Sequence, residues 1–166
     1  RSENQAPETI DEIRFLKNGA PLTFRVWQNL LGLSFRDDFA RLIESSFMFG
    51  FYRGTAGSLP FFILKTKSTV SSYSQLYAGE KSLPAVWNVL LGQPPAPPLD
   101  IATSASTPIT TSNFRDLVIQ NLDTRILDGV GVTQPVLYGF LDTNTIILTQ
   151  TRAAFLEILT RFRARK

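Results

Sequence analysis

The sequence predicts an α+β fold, an antiparallel sheet of about five strands packed by three or four helices, and three observations predict it. Residues 136–141 form an almost wholly apolar run rich in β-formers, and Ile146, Ile147 and Leu148 form a second. Asp142-Thr143-Asn144-Thr145 between them is turn chemistry, because Asp and Asn bond to nearby backbone and Asn tolerates positive φ. Residues 47–66 (FMFGFYRGTAGSLPFFILKT) echo this hairpin, with Gly50-Phe51 matching Gly139-Phe140 and both second strands ending at Thr. A helical pattern follows each, with Tyr73 or Phe155 as its first aromatic anchor. The echo points to internal duplication of a hairpin–helix unit; the alternative is chance recurrence of an aromatic hairpin.

From the N-terminus, residues 8–17 place Ile10, Ile13, Phe15 and Leu16 at near-helical spacing and stop at Asn18-Gly19, which predicts a first helix. Residues 21–31 predict a second, with Phe24, Trp27, Leu30 and Leu31 on one face. Ser34 to Asp37 has the spacing of a capping box, opening a helix with the stripe Phe35, Phe39, Leu42 and Ile43. Asp37 and Asp38 suit the positive end of its dipole, which accounts for both without a metal or acid–base role. After the first hairpin, Ser68 or Thr69 can cap a helix whose inner face is Val70, Tyr73, Leu76 and Tyr77. Gly79 and Pro84 interrupt it, and a further turn or two carries Trp87 and Leu90.

Residues 93–112 (QPPAPPLDIATSASTPITTS) hold five of the ten prolines and a single charge, Asp100. They read as a Pro/Ser/Thr-rich crossover between a first half, 1–92, and a second half, 113–166, of a single α+β domain, since neither half looks large enough to be stable alone. Residues 113–128 read as one long strand or two joined at residues 121–123. The last helix carries Phe155, Ile158, Leu159 and Phe162 on one stripe. The predicted order is α-α-α-β-β-α, crossover, β-β-β-α. Phe49, Phe51, Phe62, Leu64, Leu137, Phe140, Ile147, Phe155 and Leu159 are the predicted core, and Gly50 and Gly139 are expected at equivalent positions facing a helix.

The 166 residues contain no cysteine and no histidine. That removes disulfides, thiolate chemistry, Ser-His-Asp and Cys-His catalysis, and every His-ligated metal site. No cofactor is expected. A formal charge of +3 is too small to imply nucleic acid by itself. No apolar run approaches the ~20 residues of a membrane span.

Residues 47–66, 114–128 and 136–159, with Asn121, Asp123-Thr124-Arg125 and Leu137-Tyr138-Gly139-Phe140 as the main motifs, resemble a group of uncharacterised membrane-anchored extracytoplasmic proteins of candidate-phyla-radiation (Patescibacteria) bacteria. The resemblance covers about residues 34–162 apart from the Pro-rich segment. It departs at Gly79-Glu80, where similar members carry Trp-Glu. It implies a location, a domain outside the cell tethered by a segment absent from this chain, and it brings no activity or catalytic residue.

Three functions compete. The favoured one is a non-catalytic protein-binding or assembly module. The second is a carboxylate-dependent hydrolase using Asp123, Asp128 and Asp142 at turn-like positions, with Arg125 for an anionic group; it requires two carboxyls about 5–9 Å apart. The third is nucleic-acid binding through Arg161, Arg163, Arg165 and Lys166. The helix dipole already favours cations there, and Phe162 belongs to the buried stripe, so no nucleic acid is expected. Asp123, Arg125, Arg161 and Arg163 are the candidate interaction residues.

Overall fold

The chain begins with strands β1 (Thr9–Ile13), β2 (Leu16–Lys17) and β3 (Ala20–Pro21), followed by helices α1 (Phe24–Leu31) and α2 (Asp37–Leu42). The first long hairpin is β4 (Ile43–Gly54) and β5 (Gly57–Thr66). Helix α3 (Thr69–Gly79), a 3-10 turn (Glu80–Ser82) and α4 (Leu83–Leu90) then run almost without a break. The second half contains β6 (Arg115–Ile119), β7 (Leu122–Leu127), β8 (Val136–Phe140), β9 (Thr145–Thr149) and α5 (Arg152–Ala164). This computed structural model describes residues 8–33, 35–55, 57–90, 113–128 and 135–164. The predicted crossover at 93–112, Ser34, residues 129–134, Arg165 and Lys166 lie outside the described residues. Among the described residues no helix is long and apolar enough to cross a membrane.

Seven strands form one antiparallel sheet in the order β1-β4-β5-β9-β8-β7-β6. The α+β class is as expected, with two more strands than the five predicted. One comes from residues 113–128, which are two strands joined by a tight turn at Gln120 and Asn121, both at positive φ (48° and 63°). The other is β1, which the sequence assigns to a helix. Ile10 and Ile13 are three apart, a spacing that serves a helix, but the outer edge of β4 offers a ladder from Arg53 to Phe49 and β1 takes it. Asn18 and Gly19, at φ 53° and 80°, do not end a helix; they form the two-residue turn of the small β2–β3 hairpin. Likewise α2 starts at Asp37 with Arg36 in the capping position and no side-chain cap, so the expected box at Ser34 to Asp37 does not set its start.

Alternation along the central strands divides the core between the two faces of the sheet. On one face Phe49, Phe62, Leu64, Tyr138 and Leu148 meet Phe24 and Trp27 of α1, Phe39 of α2, Leu76 of α3 and Trp87 of α4. Trp27 lies 5.2 Å from Phe62 and 4.9 Å from Phe47, ring centre to ring centre. On the other face Phe61, Leu137 and Ile147 meet Phe155, Ile158 and Leu159 of α5. Seven of the nine predicted core residues are buried; Phe51 and Phe140 are half-buried. Phe140 lies 6.0 Å from the Tyr73 ring of α3, its aromatic neighbour among the described residues.

The two long hairpins are related by ladder register. Phe62 lies opposite Leu148, and a two-fold axis through that pair carries Gly50 onto Gly139, Phe49 onto Tyr138 and Phe51 onto Phe140. Such an axis preserves the faces of a sheet, so α3 and α5 would share a face if the helices obeyed it. They lie on opposite faces. Both glycines point to the α5 face, yet only Gly139 meets the helix: a Cβ there would stand 3.3 Å from Phe155 Cε2. A Cβ at Gly50 would instead collide with the backbone oxygen of Asp11 in β1 and with the Phe61 ring. Gly50→Ala is therefore expected to push β1 off the sheet edge at a cost of about 1–3 kcal/mol. Hydrogen exchange at residues 9–13 should accelerate well beyond that of β5; unchanged exchange in β1 would refute the close approach.

Candidate functional site

Arg125 is the best-placed of the four candidate residues. It sits on β7 with its side chain toward α3, opposite Tyr138 on β8 and Asp116 on β6. The 3-10 turn between α3 and α4 carries Glu80, whose side chain reaches Arg125. The Arg125 fork donates to both Glu80 oxygens, Nε to Oε1 at 2.7 Å and a terminal nitrogen to Oε2 at 2.9 Å. Its other terminal nitrogen donates to Asp116 at 2.7 Å, and the Phe114 carbonyl accepts a further bond at 3.3 Å. The Tyr138 hydroxyl donates to Glu80 Oε1 at 2.7 Å, and the Tyr77 ring lies over the guanidinium at 4.8 Å. Arg125 and Glu80 side chains are 10% and 12% exposed, so this is a bidentate pair held largely out of water.

The electrostatics follow from that geometry. The hydrogen bond to Glu80 raises the Arg125 pKa against the opposing effect of burial, so the guanidinium stays charged. Burial first, and then the bond to Glu80, raises the Tyr138 phenol well above its ordinary value. Tyr52, buried on the other face and beside the Glu8 carboxylate, is pushed up to about 12. Both phenols are protonated when folded, whereas in the unfolded chain they ionise near pH ~10. Their stabilisation is therefore complete below about pH 10 and is lost as pH rises through the folded values. Urea unfolding across this alkaline range should show a falling midpoint, with a shallower fall in Tyr52→Phe and in Tyr138→Phe. An equal fall in both variants would assign the slope to other groups.

Asp123 is two residues from Arg125 on the same face, but it joins a different neighbourhood. Its ladder partner is Val118 on β6, whereas the pairing of β7 with β8 runs from Thr124 to Leu127. Val118 is 61% exposed, and β6 is the outer strand of the described sheet. The inner face expected of α3 is split: Leu76 is buried as expected, but Val70 is 79% exposed and Tyr77 55%, and Ser72 is the other buried position. Tyr73 lies beside Phe140, Tyr77 lies over Arg125 and Val118 lies opposite Asp123. Glu80 was not legible as a member of the node, since a single Glu beside Gly79 carries no spacing signal. A buried-looking Arg in a strand implies an acidic partner without saying which one.

The remaining candidates lie elsewhere. Arg161 donates to Glu157 at 2.7 Å and to the Glu8 carbonyl at 3.2 Å, and Arg163 donates to Gln120 at 2.9 Å, so both tie α5 to its own chain. The three aspartates of the hydrolase reading are likewise not gathered at one place. Asp128 is held bidentately by Arg115 at 3.1 and 2.8 Å, and Asp142 accepts the Asn144 backbone N–H at 3.1 Å within its own turn. Asp123 stands exposed at the opposite end of β7 from Asp128. No family model, curated protein or solved structure matches this chain.

Proposed function

We propose that this chain is a non-catalytic protein-binding or assembly module whose binding surface is the α3–β6 face. The observation that carries the reading is that Val70, Tyr73 and Tyr77 of α3 face outward, with Tyr77 over Arg125 of β7, while Val118 of the outer strand β6 is exposed too. Tyrosines supply rigid amphipathic contact area at small conformational cost and are enriched where proteins meet. An outer strand presents unpaired backbone groups that an extended peptide can join, with side-chain contacts setting specificity. The Arg125–Glu80 pair beneath holds α3 against β7 and keeps the stripe and the strand in fixed relation. The partner is a protein segment that adds a strand to β6 and rests apolar side chains on the tyrosines.

Selection of displayed peptides against the whole chain tests this. Enriched peptides should shift the amide signals of β6 and lose at least tenfold in affinity to Val118→Lys and to Tyr77→Ser. Peptides that ignore both substitutions, or no enrichment over a control protein, would overturn the reading.

The location that goes with this role is extracytoplasmic, in a bacterial protein anchored through a segment outside this chain; the resemblance of its β-hairpin motifs to such proteins supports it. Protease added to intact cells should digest the module, and full protection would refute the placement. The shared register and the common glycine face likewise support descent of the two long hairpins from one ancestral hairpin, with different helices added to each copy.

A further inference from the structure

The α5 face is covered unevenly. Among the described residues one helix, α5, packs on this face of the seven-stranded sheet, where Phe155, Ile158 and Leu159 cluster with Phe61, Ile147, Leu137, Ile126 and Ile119. Beside it, over β1, β4 and β5, remains an open groove of about 530 Å³. Met48 and Ile63 form its floor and Ile158 and Phe162 its helical wall, with Ile10 on the outermost strand. The size falls within the roughly 300–1,000 Å³ usual for small-molecule sites, which are mostly apolar with a few placed polar groups.

Of the polar groups lining the groove, Arg161 on α5 is paired with Glu157, and Lys65, Thr145 and Ser46 lie on the sheet. Lys65 and Thr145 lie directly opposite each other on β5 and β9, and Ser46 lines the same groove from β4. One ammonium and two hydroxyls therefore stand together across three neighbouring strands. Lys65 is exposed and makes no ion pair among the described residues. The acidic side chain lining the groove, Glu12, lies 3.3 Å from Arg14. From Lys65 the face of β5 continues apolar through Ile63 to Phe61, about 13 Å at ~3.3 Å per residue, the length of roughly ten methylene groups.

We propose that this groove binds a single-chain anionic amphiphile, a long-chain carboxylate, with its head at Lys65, Thr145 and Ser46 and its tail along Ile63 and Met48 against Phe162. An ammonium and two hydroxyl donors match a carboxylate, and a cationic head would meet Lys65 with repulsion. A desolvated tail of this length recovers roughly 0.8 kcal/mol per buried methylene, so the apolar floor supplies affinity and the polar end supplies orientation. The site lies on the opposite side of the sheet from the α3–β6 face and does not depend on that surface.

The test is titration of the whole chain with dodecanoate below its micelle-forming concentration, read by calorimetry and by amide shifts. Saturable binding of one dodecanoate per chain is expected, with shifts at Met48, Ile63 and Lys65 and at least tenfold weaker binding of dodecyltrimethylammonium. Lys65→Glu, a change at an exposed position, should reduce dodecanoate affinity at least tenfold and reverse the head-group preference. Met48→Lys should also weaken binding at least tenfold, whereas Val118→Lys, which disables the proposed protein surface, should leave it unchanged. Equal affinity for both head groups, indifference to Lys65→Glu, binding only to anionic phospholipid vesicles, or preference for an amphipathic helical peptide over dodecanoate would each overturn the proposal.

Discussion

Glu80→Ala is expected to destabilise the fold by about 3–5 kcal/mol, the effect of removing one partner from a buried ion pair. The carboxylate accepts three hydrogen bonds, two from Arg125 and one from Tyr138, so its loss strands a guanidinium and a phenol together. Asp116 remains in contact, but its side chain is 85% exposed and water screens what it can return. Asp116→Ala alone should accordingly cost less than about 1 kcal/mol. Replacing both charges, as Glu80→Leu with Arg125→Met, should cost less than Glu80→Ala, because no unpaired charge is left behind. Urea unfolding of the four proteins decides the matter. A Glu80→Ala midpoint close to wild type would show that water reaches Arg125 freely.

Phe155→Ala is expected to cost a similar amount, about 3–5 kcal/mol. The side chain is fully buried and sits where Gly139 leaves space for it, against a sheet face that has no other helix among the described residues. On the other face, the loss of one contact in α1 to α4 can be absorbed by rings that remain packed around it. On this face there is no such redundancy, so the cavity term adds to the lost transfer free energy. Chemical denaturation giving a loss below about 1 kcal/mol would make α5 a peripheral attachment and contradict its place in the core.

Legibility followed how local the signal was. The β8–β9 hairpin and α5 were readable because Asp142 to Thr145 is a turn by its own chemistry and because Phe155, Ile158, Leu159 and Phe162 repeat at helical spacing. β1 was not, since Ile10 and Ile13 satisfy a helix as well as a strand and the deciding partner, β4, lies some forty residues away. The turn at Asn18-Gly19 was the one local clue against a helix, because Asn-Gly favours a tight hairpin. The outward face of α3 was misread for a related reason. Leu76 is buried as read, but the Glu80–Arg125 pair at the end of α3 fixes the helix so that Ser72 joins it inside while Val70, Tyr73 and Tyr77 face outward. Of the site, Arg125 was identified as an interaction residue, while its main partner was not.

The order of strands also bears on how the chain is made. β5 is central, yet its second neighbour, β9, is synthesised last but for the final helix: Lys65 pairs with Thr145, about 80 residues downstream. At roughly 5–20 residues per second, a ribosome needs on the order of 4–16 s to supply that partner. During this interval Phe61, Phe62, Ile63 and Leu64 form one bare apolar rim of a partial sheet, flanked by Pro60 and Lys65. Slow translation or dense polysomes should therefore favour aggregates seeded through β5, and Pro60 and Lys65 at the two ends of that run are the guards against them.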